Sequence, residues 1–412
     1  MLKPKLLGHF SSKAPLMASP GAVSYFQSDN ASPTMTGRAS GVLPRNRGGA
    51  MTLDLSNTLV VGITTTALFD MSESDSAFQT KFKSDRQTAI AEYRAYALAH
   101  EDEPLSDGTG MPLVRALLAL NKYKKEGEPP LVEVVVMSRN SPETGVRVFN
   151  NIRSRTLAVS RHAFTGGESV VPYLDAFDVD LFLTTNANDA QQVIDAGKCA
   201  AAVVKAPPSD LATIPDGQVR IAFDGDAVLF DDSSEIVYKA EGLAGFHKSE
   251  DAKQDTPMAE GPYAQFLLKL AKLQSRLPFS VEFSPVHLAL VTARNAPAEL
   301  RVIKTLRHWG VYVNEIFFLG GLEKAKVLKA FRAHIFFDDQ DFHLEPAAKH
   351  IPAGRVPYRS SSPLNLAASE KIVDLAVPAV IEGSATAASA DSICIATDGL
   401  FPEAEVTSRE QP

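Results

Sequence analysis

Ile221-Ala-Phe-Asp-Gly-Asp-Ala-Val-Leu-Phe230 is an apolar, strand-like run broken by two aspartates around a single glycine. Residues two apart in an extended segment project to the same side, so Asp224 and Asp226 can converge on one ligand where the strand ends. Convergent carboxylates suit a hard cation, and magnesium takes oxygen ligands, usually between carboxylates, water and a phosphate. A carboxylate in that position can also attack phosphorus, while its neighbour two residues on serves as acid and base. The same Asp-Gly-Asp would equally close a hairpin as a turn, so the residues further along the chain decide between the two readings.

Three downstream segments bear on that choice. His287-Leu-Ala-Leu-Val-Thr-Ala-Arg294 is a second buried-strand pattern, ending in the hydroxyl of Thr292. Gly320-Gly-Leu-Glu-Lys324 opens a helix and offers a lysine near its first turn, and Ile335-Phe-Phe-Asp-Asp-Gln340 is a third apolar strand ending in Asp338 and Asp339. Singly, Thr292 reads as a helix cap, Lys324 as a solvated charge and the acidic pair as a loop start. In order, and all at strand or helix termini, they occupy the positions where open α/β sheets place ligands.

The set resembles the four motifs of the haloacid dehalogenase superfamily and, more narrowly, the cytosolic type I 5'-nucleotidases. The narrower resemblance rests on Ala222-Phe-Asp-Gly-Asp-Ala-Val-Leu-Phe230, Leu290-Val-Thr-Ala-Arg294, Thr305-Leu-Arg-His-Trp-Gly310 and Phe336-Phe-Asp-Asp-Gln340. It extends upstream through Ala67-Leu-Phe69, His100-Glu-Asp-Glu-Pro104 and Phe164-Thr-Gly-Gly167, covering roughly residues 58 to 358. The resemblance implies that Asp224 is the nucleophile and Asp226 the general acid and base, which also lends its backbone carbonyl to magnesium. Thr292 and Lys324 would hold the phosphoryl group, and Asp338 and Asp339 would complete the metal site. Charge on a phosphoryl group in transit spreads over its equatorial oxygens, which a cation, a lysine and a hydroxyl stabilise. Four carboxylates this close repel unless a divalent ion balances them, so activity is expected to need magnesium.

The chain also carries this unit twice. One constant shift pairs Ser138 with Thr292, Phe164-Thr-Gly-Gly167 with Phe318-Leu-Gly-Gly321, and Leu181-Phe-Leu-Thr-Thr185 with Ile335-Phe-Phe-Asp-Asp339. Val61-Gly-Ile-Thr-Thr-Thr-Ala-Leu-Phe69 likewise resembles Ile221 to Leu229, and such self-similarity points to duplicated structure. In the first copy Thr64 and Thr66 stand where the aspartates would be, Val170 where Lys324 would be, and Thr184 with Thr185 where the acidic pair would be. Hydroxyls replace neither a nucleophilic carboxylate nor a metal ligand, so the first half is expected to keep the architecture without the hydrolysis. It either scaffolds, or binds a nucleotide through Ser138, Arg139, Asn140 and the Thr165-Gly166-Gly167 turn, for substrate recognition or as an effector site, since glycine turns and arginine hold phosphate without metal.

The expected architecture is therefore α/β: two related haloacid-dehalogenase-like (Rossmannoid) units with mainly parallel sheets. Residues 52–208 form the degenerate unit and 209–358 the catalytic one. Residues 231–280 are too many for a simple loop and are expected to form a small helical cap, with Phe246, His247, Lys248 or Tyr263 available to a base or ribose. Strands are expected near 219–223, 288–291, 316–319 and 335–337, and helices over 297–309 and 323–331.

Composition narrows the partners. At 412 residues with 45% hydrophobic content the chain can bury two cores, and a net charge of −8 argues against a nucleic-acid surface. Cys199 and Cys394 make neither a disulfide framework nor a zinc pattern, which suits a cytoplasmic protein. No apolar stretch is long enough for a membrane span. Residues 1–51 carry Lys3, Lys5, Lys13, Arg38, Arg45 and Arg47 against Asp29 and are expected to be a disordered extension, with Met51 an alternative start. Residues 359–412, rich in acids, read as a flexible tail in which Lys371 to Ile381 could dock. The resulting expectation is a magnesium-dependent 5'-nucleotidase acting on AMP, IMP or deoxynucleotides. The alternatives are a phosphatase for sugar phosphates, a phosphotransferase, or a non-catalytic nucleotide sensor, and a homo-oligomer is compatible with each.

Overall fold

The computed structural model describes residues 54–365. The expected extension at 1–51, the start at Met51 and nearly all of the acidic tail, including Lys371 to Ile381, lie outside these residues. The longer strands form where the sequence has runs of β-branched and other apolar residues, as in Leu59–Thr64, Val132–Ser138 and Val286–Thr292. The strands are β1 (Leu59–Thr64), β2 (Phe69–Asp70), β3 (Ser106–Asp107), β4 (Val132–Ser138), β5 (Arg161–Phe164), β6 (Leu181–Thr184), β7 (Ala200–Val204), β8 (Val219–Phe223), β9 (Val286–Thr292), β10 (Glu315–Phe318), β11 (Ile335–Asp338) and β12 (Ala353–Arg355). Strands β2 and β3 pair only with each other, and the other ten make one sheet in the order β10-β9-β8-β11-β12-β7-β6-β1-β4-β5.

Every neighbouring pair in that sheet is parallel except β7 with β12. Buried parallel strands cannot alternate polar with apolar residues, because helices cover both faces. Accordingly β4 is buried along its whole length, and its one charge, Glu133, is met by Arg161 at 2.8 Å. The strand order reads the same from either end towards the antiparallel pair. Thus β5-β4-β1-β6-β7 on one side corresponds to β10-β9-β8-β11-β12 on the other. Ser138 ends β4 as Thr292 ends β9, and Phe164 ends β5 as Phe318 ends β10. No break in the sheet marks the expected boundary at residues 208 and 209, since β12 pairs with β7 through Gly354 and Val204.

The region from 231 to 280 divides in two. The helix Ala264–Arg276 buries Phe266, Leu267, Leu270 and Leu273 in the main core, and Gln274 donates to the Val286 carbonyl. The helix Ser233–Ala252, interrupted at Gly242 (φ 69°), turns only Ser234, Phe246 and Glu250 fully inward. Of the two helices in the region expected to form a cap, the second is part of the core and the first buries only these three residues.

Candidate active site

The sequence builds the site by ending three adjacent parallel strands, β9, β8 and β11, in polar residues at one edge. Asp224 follows β8, Thr292 ends β9 and Asp338 ends β11. Lys324 enters from the first turn of the helix Lys324–Phe331. Its ammonium lies 2.9 Å from Asp224 Oδ1 and 2.7 Å from Asp338 Oδ2, with Lys324 only 1% exposed. Asp338 Oδ1 accepts from the Gln340 amide at 2.8 Å, and Asp339 Oδ2 accepts from the Tyr358 hydroxyl. The Thr292 hydroxyl oxygen accepts from the Arg294 amide at 3.2 Å, which leaves its own proton to donate.

Burial pushes the Asp224 carboxyl up to about 6, with Lys324 pulling it down and Asp338 and Asp226 pushing it further up. Burial, followed by the charges of Asp338 and Asp224, raises Asp339 far above the usual carboxylate range. Burial alone would lower Lys324, but Asp224 and Asp338 outweigh it and hold the ammonium protonated. One lysine thus stands among three buried carboxylates. One oxygen from each of Asp224, Asp338 and Asp339 lies within 4.8 Å of the others, and Asp339 Oδ1 is buried without a hydrogen-bond partner. A lone hard cation with oxygen ligands fits this excess of charge and this orphaned acceptor.

Asp226 stands apart from that cluster. Its carboxylate receives Arg294 in bidentate fashion, Nε to Oδ2 at 2.8 Å and Nη2 to Oδ1 at 2.6 Å. Its side chain is therefore not among the clustered oxygens, and any share it takes in a metal site falls to its backbone carbonyl. Arg294 also donates to Glu250 Oε2 at 2.5 Å, and Glu250 Oε1 takes Arg301 at 2.8 Å and the Ser234 hydroxyl at 2.9 Å. Although burial disfavours its charge, Asp226 and Glu250 hold Arg294 firmly protonated. Sequence reasoning missed Arg294, Glu250 and Tyr358 as site residues. The spacing of two that paired Asp224 with Asp226 also separates Thr292 from Arg294 and could have drawn attention to it. No local pattern links Glu250 to Arg294, and Tyr358 lies beyond the last strand.

Of the residues expected near a base or ribose, Phe246 stacks beneath Arg294, 5.2 Å from ring centroid to guanidinium, and His247 Nε2 is 2.7 Å from Asn295 Oδ1. Lys248 is exposed. Tyr263 is 0% exposed within a cluster of Phe223, Phe266 and Phe337, so it offers a substrate no surface.

Ser138, Arg139, Asn140, Gly166 and Gly167 gather at the corresponding edge of the first half, around a cavity of about 860 Å³. Thr165, Gly166 and Gly167 give their amides to the carbonyls of Ser138, Asn140 and Arg139, so the glycine turn does not aim them at a ligand. Both glycines have positive φ, 61° and 105°, which explains the residue choice without a phosphate.

The 5'-nucleotidase family model matches residues 51–363. Human cytosolic 5'-nucleotidase 1B is 34% identical over 299 residues, which make up 71% of this chain and 48% of that protein. The chain spans about half the length of this curated relative.

Proposed function

The chain belongs to the 5'-nucleotidase family, and from that premise we propose that it hydrolyses nucleoside 5'-monophosphates to nucleoside and inorganic phosphate through an aspartyl phosphate on Asp224. The observation that carries this reading is the placement of Asp224, Lys324, Thr292 and Asp338 at one edge of three adjacent parallel strands. An Asp224 oxygen attacks phosphorus, and the P–O bond to the 5' carbon's oxygen breaks. Asp226 supplies the proton that this oxygen needs, giving up at least one of its bonds to Arg294. Water then attacks the aspartyl phosphate, Asp226 takes its proton, and phosphate leaves with Asp224 restored. Lys324 and the Thr292 hydroxyl hold the equatorial oxygens, while Gly225 supports Asp224 through its amide at 2.7 Å.

Asp224, Asp338 and Asp339 would hold magnesium, which when bound offsets the charge that the phosphoryl group brings. The helix Ser233–Ala252 would act as the cap that covers the nucleoside. Residues 52–208 would be the non-catalytic unit and 209–358 the catalytic one, working in the cytoplasm.

Phosphate release from AMP, IMP, deoxynucleotides and sugar phosphates tests the reading. Nucleotides should be preferred, and Asp224→Asn should abolish turnover. A preference for sugar phosphates would remove the nucleotidase assignment, and undiminished release by Asp224→Asn would remove the mechanism. Magnesium should raise the thermal midpoint of the native chain and should fail to do so in Asp339→Asn, a readout independent of turnover.

A further inference from the structure

We propose that the cavity in the first half is a second ligand site, one that takes an aromatic phosphate ester of the nucleotide type without any metal. The cavity lies where β4, β1 and β6 end, at the crevice of an open parallel sheet. Because β7 and β12 are antiparallel, these ends point away from the edge that carries Asp224. The site is therefore separate from the catalytic one.

Its floor is hydroxylic. Thr66 Oγ1 lies 2.6 Å from Thr185 Oγ1 and 3.3 Å from Thr64 Oγ1, so the positions equivalent to the catalytic carboxylates form a neutral hydrogen-bonding patch. A carboxylate floor repels phosphate unless a cation intervenes, whereas a hydroxyl floor can donate to phosphate directly. Three arginines line the cavity, Arg86, Arg94 and Arg139, against two acids. Both acids are already engaged, Asp189 by Arg139 and Glu143 by Arg94 at 2.7 Å. Carboxylate metal chelation is thus disfavoured and an anion is favoured.

Another part of the lining is aromatic. Phe78 packs at a tilt against Phe82 and Tyr93, with centroids 5.1 Å away in each case, and Arg86 sits over the Phe82 ring at 5.0 Å. These rings come from the helices Ser72–Ser84 and Arg86–Ala99 and give a flat ring a surface to pack on. A volume of about 860 Å³ lies within the range of small-molecule pockets.

Isothermal titration of the full chain with AMP in excess EDTA tests the proposal without turnover. One-site binding is expected to survive chelation and to persist in Asp224→Asn. It should weaken at least tenfold in Thr66→Asp, which puts a charge back into the floor. Adenosine and inorganic phosphate should each bind at least tenfold more weakly than AMP. Should Thr66→Asp fail to fold, judged by its thermal midpoint, Tyr93→Ala removes part of the ring wall and should produce the same loss. The proposal fails if no AMP binds in EDTA, if binding disappears in Asp224→Asn but survives in the pocket variants, or if phosphate or adenosine alone binds as well as AMP. None of these outcomes bears on hydrolysis in magnesium, which is measured separately.

Discussion

A single arginine decides how Asp226 is presented. Arg294, 4% exposed, fills both oxygens of Asp226 and one oxygen of Glu250, so it fixes the proposed acid and base against a side chain from the helix Ser233–Ala252. Only a planar guanidinium reaches both partners in this way. Arg294→Lys is expected to lower kcat by about 100-fold, the lower end of what general acid–base catalysis contributes, with a smaller change in KM. Steady-state kinetics checks this, and an unchanged kcat would show that Asp226 needs no such support. Glu250→Gln leaves Arg294 and Arg301 facing a neutral amide and should cost about 3 kcal/mol in denaturant unfolding, as breaking a buried ion pair does. The carboxylates were legible in the sequence because each ends an apolar run. The Arg294–Glu250 pair was not, because the two residues lie on different elements and meet only once the helix folds over the sheet.

At the next scale, the turn after β8 depends on what is laid across it. A Cβ on Gly261 would stand 2.2 Å from the Phe230 carbonyl oxygen and 2.6 Å from that of Val228, so the chain passes there only as glycine. In the first half Gly108 lies against Ala67 to Phe69 in the same way, its Cβ meeting the Ala67 carbonyl oxygen at 2.7 Å. Gly261→Ala and Gly108→Ala should each cost about 2 kcal/mol as backbone overpacking. Only Gly261→Ala should also depress kcat, because the backbone it displaces leads out of Asp226. Paired melting curves and rates would show this, and equal rate losses would contradict it. The strand ends expected near 219–223 and 335–337 lie where the structure has Val219–Phe223 and Ile335–Asp338, and Glu299–Trp309 stops at Gly310 with φ 68°. Period and caps sufficed there. Between β8 and β11 His334, 5% exposed, accepts the Arg220 amide at Nδ1 (2.9 Å). Burial, then the Arg220 charge, lowers it to about 4. The unfolded chain, with histidine near 6.5, takes up this proton first, so His334 stabilises fully above that pH and its contribution is lost as pH falls from about 6.5 to 4. The full loss is about 3 kcal/mol. His334→Asn keeps an acceptor without the titration and should flatten that part of the stability profile; an identical acid slope in the variant would exclude the assignment.

For the whole molecule, the repeated strand order could be anticipated from the constant shift between the halves, but their union could not. β12 is three residues long, contains Gly354 and carries no strand signal of its own; it is ordered by β11 on one side and β7 on the other. Around that seam one hydrophobic cluster runs from Leu55 to Val356, and Lys269 reaches Asp180 at 3.3 Å while Arg276 reaches Glu128 at 3.2 Å across the halves. A shared sheet and a shared core should make the halves unfold together although the strand ends of one carry carboxylates and those of the other hydroxyls. The single tryptophan gives a local probe of the second half, since Trp309 packs on Phe230 at 5.5 Å, and far-ultraviolet circular dichroism reports on both. The two signals should follow one coincident denaturant transition. Gly354→Val sets a Cβ 3.0 Å from that of Ala202 and 3.3 Å from Phe337, and should lower the stability read by both probes together, by about 2 kcal/mol. If the tryptophan signal moved alone, leaving a second transition in the dichroism, the halves would be separate folding units that merely touch. The antiparallel β7–β12 pair would then be a contact between domains rather than the middle of one sheet.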